Sequence, residues 1–292
     1  MPLDQPWEDE AEREEALQAG EKEMTFLEHL EELRWHLLRS GAAILVFTIL
    51  GFIFHQEIFR SVILAPKYPD FWTYRMLCKL GAVVNAPGLC VKELDFIIIS
   101  RDPTGQFMMA ITYSIVIGLV VAFPYIFWEL WRFITPGLKR EERRAARGGV
   151  FWVSLLFFTG VAFGYYVVAP LAINFLANFK VDPSVANQFD ISSYISLLIM
   201  MVLACGLTFQ LPVVAAVLSQ IGLLTPAFMR EYRRHAFLVI LVIAAIITPS
   251  PDVFSQLLVA APLYILYEIS IGISGRVNRR RLKELDMNPA LD

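Results

Sequence analysis

The charges of this chain are gathered into clusters, and the uncharged blocks between them are what most restrict its fold. Ser40 to Gln56, Pro103 to Trp128, Gly148 to Phe179 and Ile191 to Met229 contain no Asp, Glu, Lys or Arg. His235 to Pro251 and Val253 to Tyr267 follow, divided by the single acid Asp252. Roughly 20 apolar residues carry a helix across ~30 Å of hydrocarbon. The block 191–229 exceeds one crossing, which places Pro226 and its neighbours outside the bilayer. Hydrophobic residues make up 57% of the 292 and charged ones 18%, a balance too apolar for the alternative of buried core helices in a large soluble protein.

The expectation is an all-α integral membrane protein with six transmembrane helices, at about 40–57, 103–130, 148–170, 191–221, 235–249 and 253–274. The last two blocks are short and joined by TPSPD (Thr248–Asp252), whose Pro249 and Pro251 cannot continue a helix. They read as a tight hairpin whose tip barely reaches the far surface, with local thinning of the bilayer. An acidic tail, 1–23, precedes the membrane domain, 24–275, and a tail, 276–292, follows it. The first tail lacks the basic-then-apolar pattern of a signal peptide and reads as disordered and solvated.

Short loops rich in Lys and Arg mark the cytoplasmic side. Loop 132–147 carries Arg132, Lys139, Arg140, Arg143, Arg144 and Arg147, loop 230–234 carries Arg230, Arg233 and Arg234, and basic residues crowd 276–283. Loop 180–190 has only Lys180, and the long loop 57–102 spreads its basic residues among acids. Both termini are therefore expected in the cytoplasm. Cys78 and Cys90 then face an oxidising compartment, where a disulfide between them is expected.

No Gly-rich phosphate loop, HExxH, GxSxG or metal-ligand spacing is present, so no catalytic residue, cofactor or metal is assigned, and the net charge of −3 gives no sign of nucleic acid. The acids then call for another explanation. In TFLEHLEELRWHLL, Thr25 and Glu28 form a capping box, and Phe26, Leu30, Leu33 and Leu37 make an apolar stripe. Glu28, Glu31 and Glu32 flank it, either as a solvated face with local pairs such as Glu32 with His36, or as ligands. WRFITPGLKREERR (131–144) brings Glu141 and Glu142 to the same membrane face. Gln210, in CGLTFQLPVV, is a polar residue inside a span, and Asp252 reads as a structural cap at the start of span six.

HLEELR with the span that follows it, FITPGLKREERR, and TPSPDVFSQ resemble the signatures of the TatC family, in the right order. AFGYYVVAP (162–170) and FQLP (209–212) agree, and the resemblance covers roughly 24–275. That family is the multispanning receptor of the twin-arginine translocase, a cupped bundle with short fifth and sixth helices in the bacterial inner membrane. The resemblance implies that Glu32, Arg34, Phe133 and Glu142 bind the arginine pair of a signal peptide. It implies docking of TatA-like and TatB-like single-span proteins at Thr248 and Gln256, and energy from the proton-motive force. Membrane lipid and further copies of the chain are the other expected partners. Two departures stand out: Gln210 replaces a frequent glutamate, and the hairpin has one residue more than the commoner TPPD form. A secondary transporter would need intramembrane ionisable pairs and inverted repeats, which are not evident, and a purely structural scaffold is the third reading.

Overall fold

Helix α1 (Phe26–Ile53) runs antiparallel along α3 (Gly105–Ile134), and these two form one wall of a helical bundle. Between them, α2 (Trp72–Val83) and strand β1 (Ile97–Ile99) belong to the long connection. The chain continues through α4 (Gly149–Phe163), a π-helical turn (Gly164–Val168), α5 (Ala169–Asn178), strand β2 (Gln188–Asp190), α6 (Ile191–Thr208), α7 (Leu211–Gln220), α8 (Pro226–Glu231), α9 (Arg233–Ile247) and α10 (Val253–Met287). The computed structural model describes residues 26–83, 85, 90, 94, 96–134, 149–182, 184, 186–248 and 253–287, with the backbone alone at 26–29, 134, 254, 280–281 and 283–287.

Among the described residues five segments are long and apolar enough to cross a membrane: Leu30–Ile53, Gly105–Phe133, Gly149–Asn178, Ile191–Gln220 and Ser255–Arg279. The expected fifth span is α9, which at 15 residues falls short of that length and packs against α10. The strictly all-α expectation needs a correction, because β1 and β2 pair in parallel, Ile97 with Gln188 and Ile99 with Asp190. Each strand is three residues long and leads into a helix, so the parallel pairing requires α3 and α6 to start from the same end of the bundle. Asp190 locks this corner. Its carboxylate accepts from the Ser192 hydroxyl and amide and from the Arg101 amide, and these bonds, the hydroxyl first, hold its carboxyl below the usual carboxylate range.

Two expected helices are interrupted where proline removes a backbone donor. Pro212, in the first turn of α7, follows a break at Phe209–Gln210, and Pro170 opens α5 after the π-helical turn. Tyrosine hydroxyls satisfy carbonyls at the sheet end of the bundle. Tyr74 donates to the Pro66 and Pro170 oxygens at 3.0 and 2.9 Å, and Tyr194 donates to Ile63 O at 2.9 Å. Burial pushes the Tyr74 phenol well above its ordinary pKa. Cys78, on α2, is joined to Cys90 by a disulfide. In the turn between α7 and α8, Gly222 takes a φ of 83°, which favours glycine, and the Thr225 hydroxyl then caps α8.

Helices α4 and α6 meet through small residues. A Cβ placed on Gly160 would lie 2.7 Å from the Cys205 carbonyl oxygen and 2.9 Å from the Gly206 Cα. Without a hydrophobic drive between helices in lipid, such close backbone approach supplies the packing energy. Gly160→Ala is expected to destabilise the protein by about 1–3 kcal/mol, as overpacking does. Gly41→Ala and Gly272→Ala, where nothing lies within 4 Å, should carry no such penalty. Unfolding of the purified variants in mixed micelles checks this, and equal stability of all three would refute the contact.

Candidate functional site

At the end of the bundle opposite the sheet, the first turns of α1 lie beside the last turns of α3. This juxtaposition builds a polar site from residues a helical turn apart: Glu32 and His36 on one helix, Tyr125, Glu129 and Phe133 on the other. Glu129 is 1% exposed and His36 6%. The His36 Nδ1–H donates to Glu129 Oε2 in a short bond, and the Tyr125 hydroxyl donates to the same carboxylate. Arg39 Nη1 lies 3.9 Å from Glu129 Oε2, with the guanidinium half exposed. A carboxylate withdrawn this far from water needs such partners, since an unpaired buried charge is strongly destabilising.

Glu32 reaches into this arrangement without being satisfied by it. Its Oε1 lies 3.9 Å from His36 Nε2, too far for a hydrogen bond. Its Oε2 is buried and has no hydrogen-bond partner among the described residues. Phe133 packs edge-on to His36 with ring centroids 6.1 Å apart, and the Arg132 guanidinium stacks over Trp128 at 5.0 Å. The result is a half-buried acceptor on a ledge of aromatic rings, its outer side open to solvent through exposed Glu31, Arg34 and Trp35.

The structure thus brings Glu32 and Phe133 together, while Arg34 is exposed two positions from Glu32, a spacing that does not share a helix face. Glu142 and Asp252 lie outside the described residues, as do Glu141 and the acidic tail. Gln210 sits at the break in the fourth long segment, where its Nε2 donates to Val153 O at 3.0 Å, and its Oε1 is buried with no partner among the described residues. Val153 is near the start of α4, so Gln210 lies towards the His36 end of the bundle. Thr248 is buried and its hydroxyl donates to Ala244 O at 2.8 Å, while Gln256 Nε2 donates across the hairpin to Leu241 O at 3.0 Å. Among the described residues no cluster of His, Cys, Asp and Glu has the makings of a metal site.

Sequence reasoning missed Glu129, Tyr125 and Arg39. Glu129 registered only as the acid ending an uncharged block, although Tyr125–Glu129 and Glu32–His36 both show the i, i+4 spacing of helical neighbours. His36→Ala is expected to cost about 1–3 kcal/mol by leaving the buried Glu129 carboxylate short of a donor. In His36→Ala/Glu129→Gln the loss should be less than the sum of the two single changes, because the unpaired charge is removed along with its partner. Unfolding of the four proteins in mixed micelles measures the coupling. Strict additivity would mean that the pair contributes nothing.

The sequence matches the family described as Sec-independent protein translocase protein (TatC) over residues 28–262. It is 39% identical over 261 residues to the TatC protein of Blattabacterium sp. subsp. Periplaneta americana, covering 89% of this chain and 98% of that one. It is 34% identical over 263 residues to TatC of Aquifex aeolicus, covering 90% and 99%. A crystal structure of the twin arginine translocase receptor TatC superposes with a TM-score of 0.62 at 32% identity, over 84% of this chain and 97% of that one. The family match takes in both helices of the polar site, and the chain belongs to the TatC family of Sec-independent protein translocase proteins.

Proposed function

We propose that this chain is the receptor subunit of a twin-arginine translocase and that Glu32 and Glu142 together bind the arginine pair of a signal peptide. The observation that carries this reading is the Glu32 carboxylate, with one oxygen buried and lacking a donor among the described residues. A guanidinium presents a planar fork of N–H donors that fits such an acceptor, and lysine has no equivalent fork. Phe133 supplies an aromatic wall beside the site. TatC-family proteins are multi-pass membrane components of a protein translocase and are not enzymes. The cargo would be folded proteins exported at the expense of the proton-motive force.

In the same reading α9 is the fifth of six spans, both termini are cytoplasmic and the membrane is the inner one. A 15-residue helix reaches only ~22 Å, which calls for a thinned bilayer at the hairpin. The hairpin is the proposed dock for TatA-like and TatB-like single-span proteins. Leu238, Val242 and Ile246 form an exposed apolar row along α9, while Thr248 and Gln256 fix the hairpin from within.

Glu32→Gln and Glu142→Gln are each expected to weaken binding of an arginine-pair peptide by about 1–3 kcal/mol, the loss of a charge-assisted contact. The double change should be less than additive if the acids share one ligand. Glu31→Gln and Glu141→Gln should do much less, and peptides with KK or QQ in place of RR should be nearly insensitive. Titration of labelled peptide against protein in nanodiscs, at two salt concentrations, measures this. Equal losses at all four acids that vanish at the higher salt would leave only a diffuse negative field. A transporter or a bare scaffold would show no preference for RR at all.

Cysteines introduced at exposed Lys79, Arg279 and Val242 test the arrangement in the membrane. Lys79→Cys should be modified from outside, Arg279→Cys from the cytoplasm, and Val242→Cys should crosslink to a single-span partner when one is present. Accessibility of the first two from one side would overturn the topology, and a Val242 site that never crosslinks would overturn the dock.

A further inference from the structure

At the sheet end of the bundle, remote from the His36–Glu129 site, lies a cavity of about 570 Å³ that the signal-peptide reading does not use. It opens between the end of α1, the start of α3 and the start of α6, all at the margin of the long apolar segments, which is headgroup depth in a bilayer. Its walls divide by chemistry. Phe52, Phe59, Phe107, Met109 and Ile195 supply apolar lining, and His55, Lys67, Tyr68 and Gln106 supply polar lining.

Lys67 is the charged residue of the lining, and among the described residues no carboxylate lines it. Lys67 makes no ion pair among the described residues, and its Nζ sits 5.4 Å from the Phe96 ring centroid, a partly buried ammonium still able to donate. The His55 Nδ1–H donates to Phe52 O at 2.9 Å, which leaves Nε2 for another partner. The Tyr113 hydroxyl donates to His55 O at 2.9 Å and fixes this turn of chain against α3. The lining thus combines one ammonium with amide and hydroxyl donors and with apolar side chains. That is the complement of an anionic headgroup carrying an acyl chain.

We propose that this cavity is a binding site for one anionic phospholipid, its phosphate held by Lys67 and Gln106 and the upper part of one acyl chain laid against Phe52, Phe107 and Ile195. The bound lipid would brace the connection between α1 and α3, adding to the tyrosine–carbonyl bonds and the strand pair that already tie it to the bundle. The site is independent of signal-peptide recognition, so either reading can fail alone.

Native mass spectrometry of the full chain, released from neutral detergent with equal amounts of phosphatidylglycerol and phosphatidylcholine of the same acyl chains, tests it. One retained phosphatidylglycerol is expected. Lys67→Gln should lower its retention at least about fivefold, the order of one cation near a lipid surface. Gln106→Trp, at an exposed rim position, should block the mouth and reduce retention similarly without disturbing the core. Lys79→Gln, an exposed cation that does not line the cavity, should change nothing. Equal retention of both lipids, or equal effects of Lys67→Gln and Lys79→Gln, would overturn the proposal. Displacement of the lipid by glycerol phosphate at comparable concentration would also overturn it, because the site would then recognise a soluble phosphate. Lys67→Gln and Gln106→Trp are both expected to melt as the unaltered protein does, and loss of the lipid that tracks a lowered melting temperature in both would overturn the proposal.

Discussion

Inside hydrocarbon no water is available to an unpaired N–H or C=O, and every feature of this bundle is arranged around that constraint. Continuous helices meet it by themselves. Where the chain departs from a helix, a side chain or a neighbouring backbone must meet it instead. The break at Phe209–Gln210 is closed by the Gln210 carbonyl, which accepts from the Val213 and Val214 amides, while its side-chain amide donates to Val153 O on α4. At the sheet end, the irregular turns around Val62, Ile63 and Pro66 expose carbonyls that the hydroxyls of Tyr165, Tyr194 and Tyr74 cover. Burial of those tyrosines therefore follows from a need for long-reaching donors that are otherwise apolar.

The same constraint explains how much was legible from sequence. Charge-free blocks are the signature of self-satisfied helices, so the long spans could be read directly, and the chain beyond the fourth does break before Pro226, which opens α8. Tertiary satisfaction leaves no such mark. The strand pair at 97–99 and 188–190 joins segments about ninety residues apart and is too short for any periodic pattern. Thr248 and Gln256 look like surface polar groups in sequence, yet both hydrogen bonds turn inward to α9 carbonyls. Glu129 was the hardest to see, because a charge at the end of an apolar run resembles a simple boundary until its neighbours on α1 are known.

The two ends of the molecule treat charge differently. At the sheet end Asp182, like Asp190, is held by local donors, here the Ser184 hydroxyl and amide, which keep its carboxyl below the usual range. These bonds organise turns and leave no acceptor waiting. At the His36 end the acids are split between a satisfied carboxylate and an unsatisfied one. Glu129 takes the donors of His36 and Tyr125, and Glu32 is left with a buried oxygen and none.

That division bears on selectivity. Two unpaired carboxylates at this depth would repel each other and attract any cation, including lysine and inorganic ions. Because Glu129 already accepts from His36 and Tyr125 and is approached by Arg39, the acceptor left open to a guest is that of Glu32. A ligand that gains mainly from net charge is then poorly rewarded, whereas one with parallel N–H donors gains hydrogen bonds to an acceptor that has no alternative. Exposed ion pairs contribute at most about 1 kcal/mol and fade with salt, so a receptor relying on field alone would discriminate weakly. Burying the acceptor raises the cost of leaving it empty, and in the proposed reading it is this cost, relieved by a well-shaped donor, that would turn a common surface acid into a specific one.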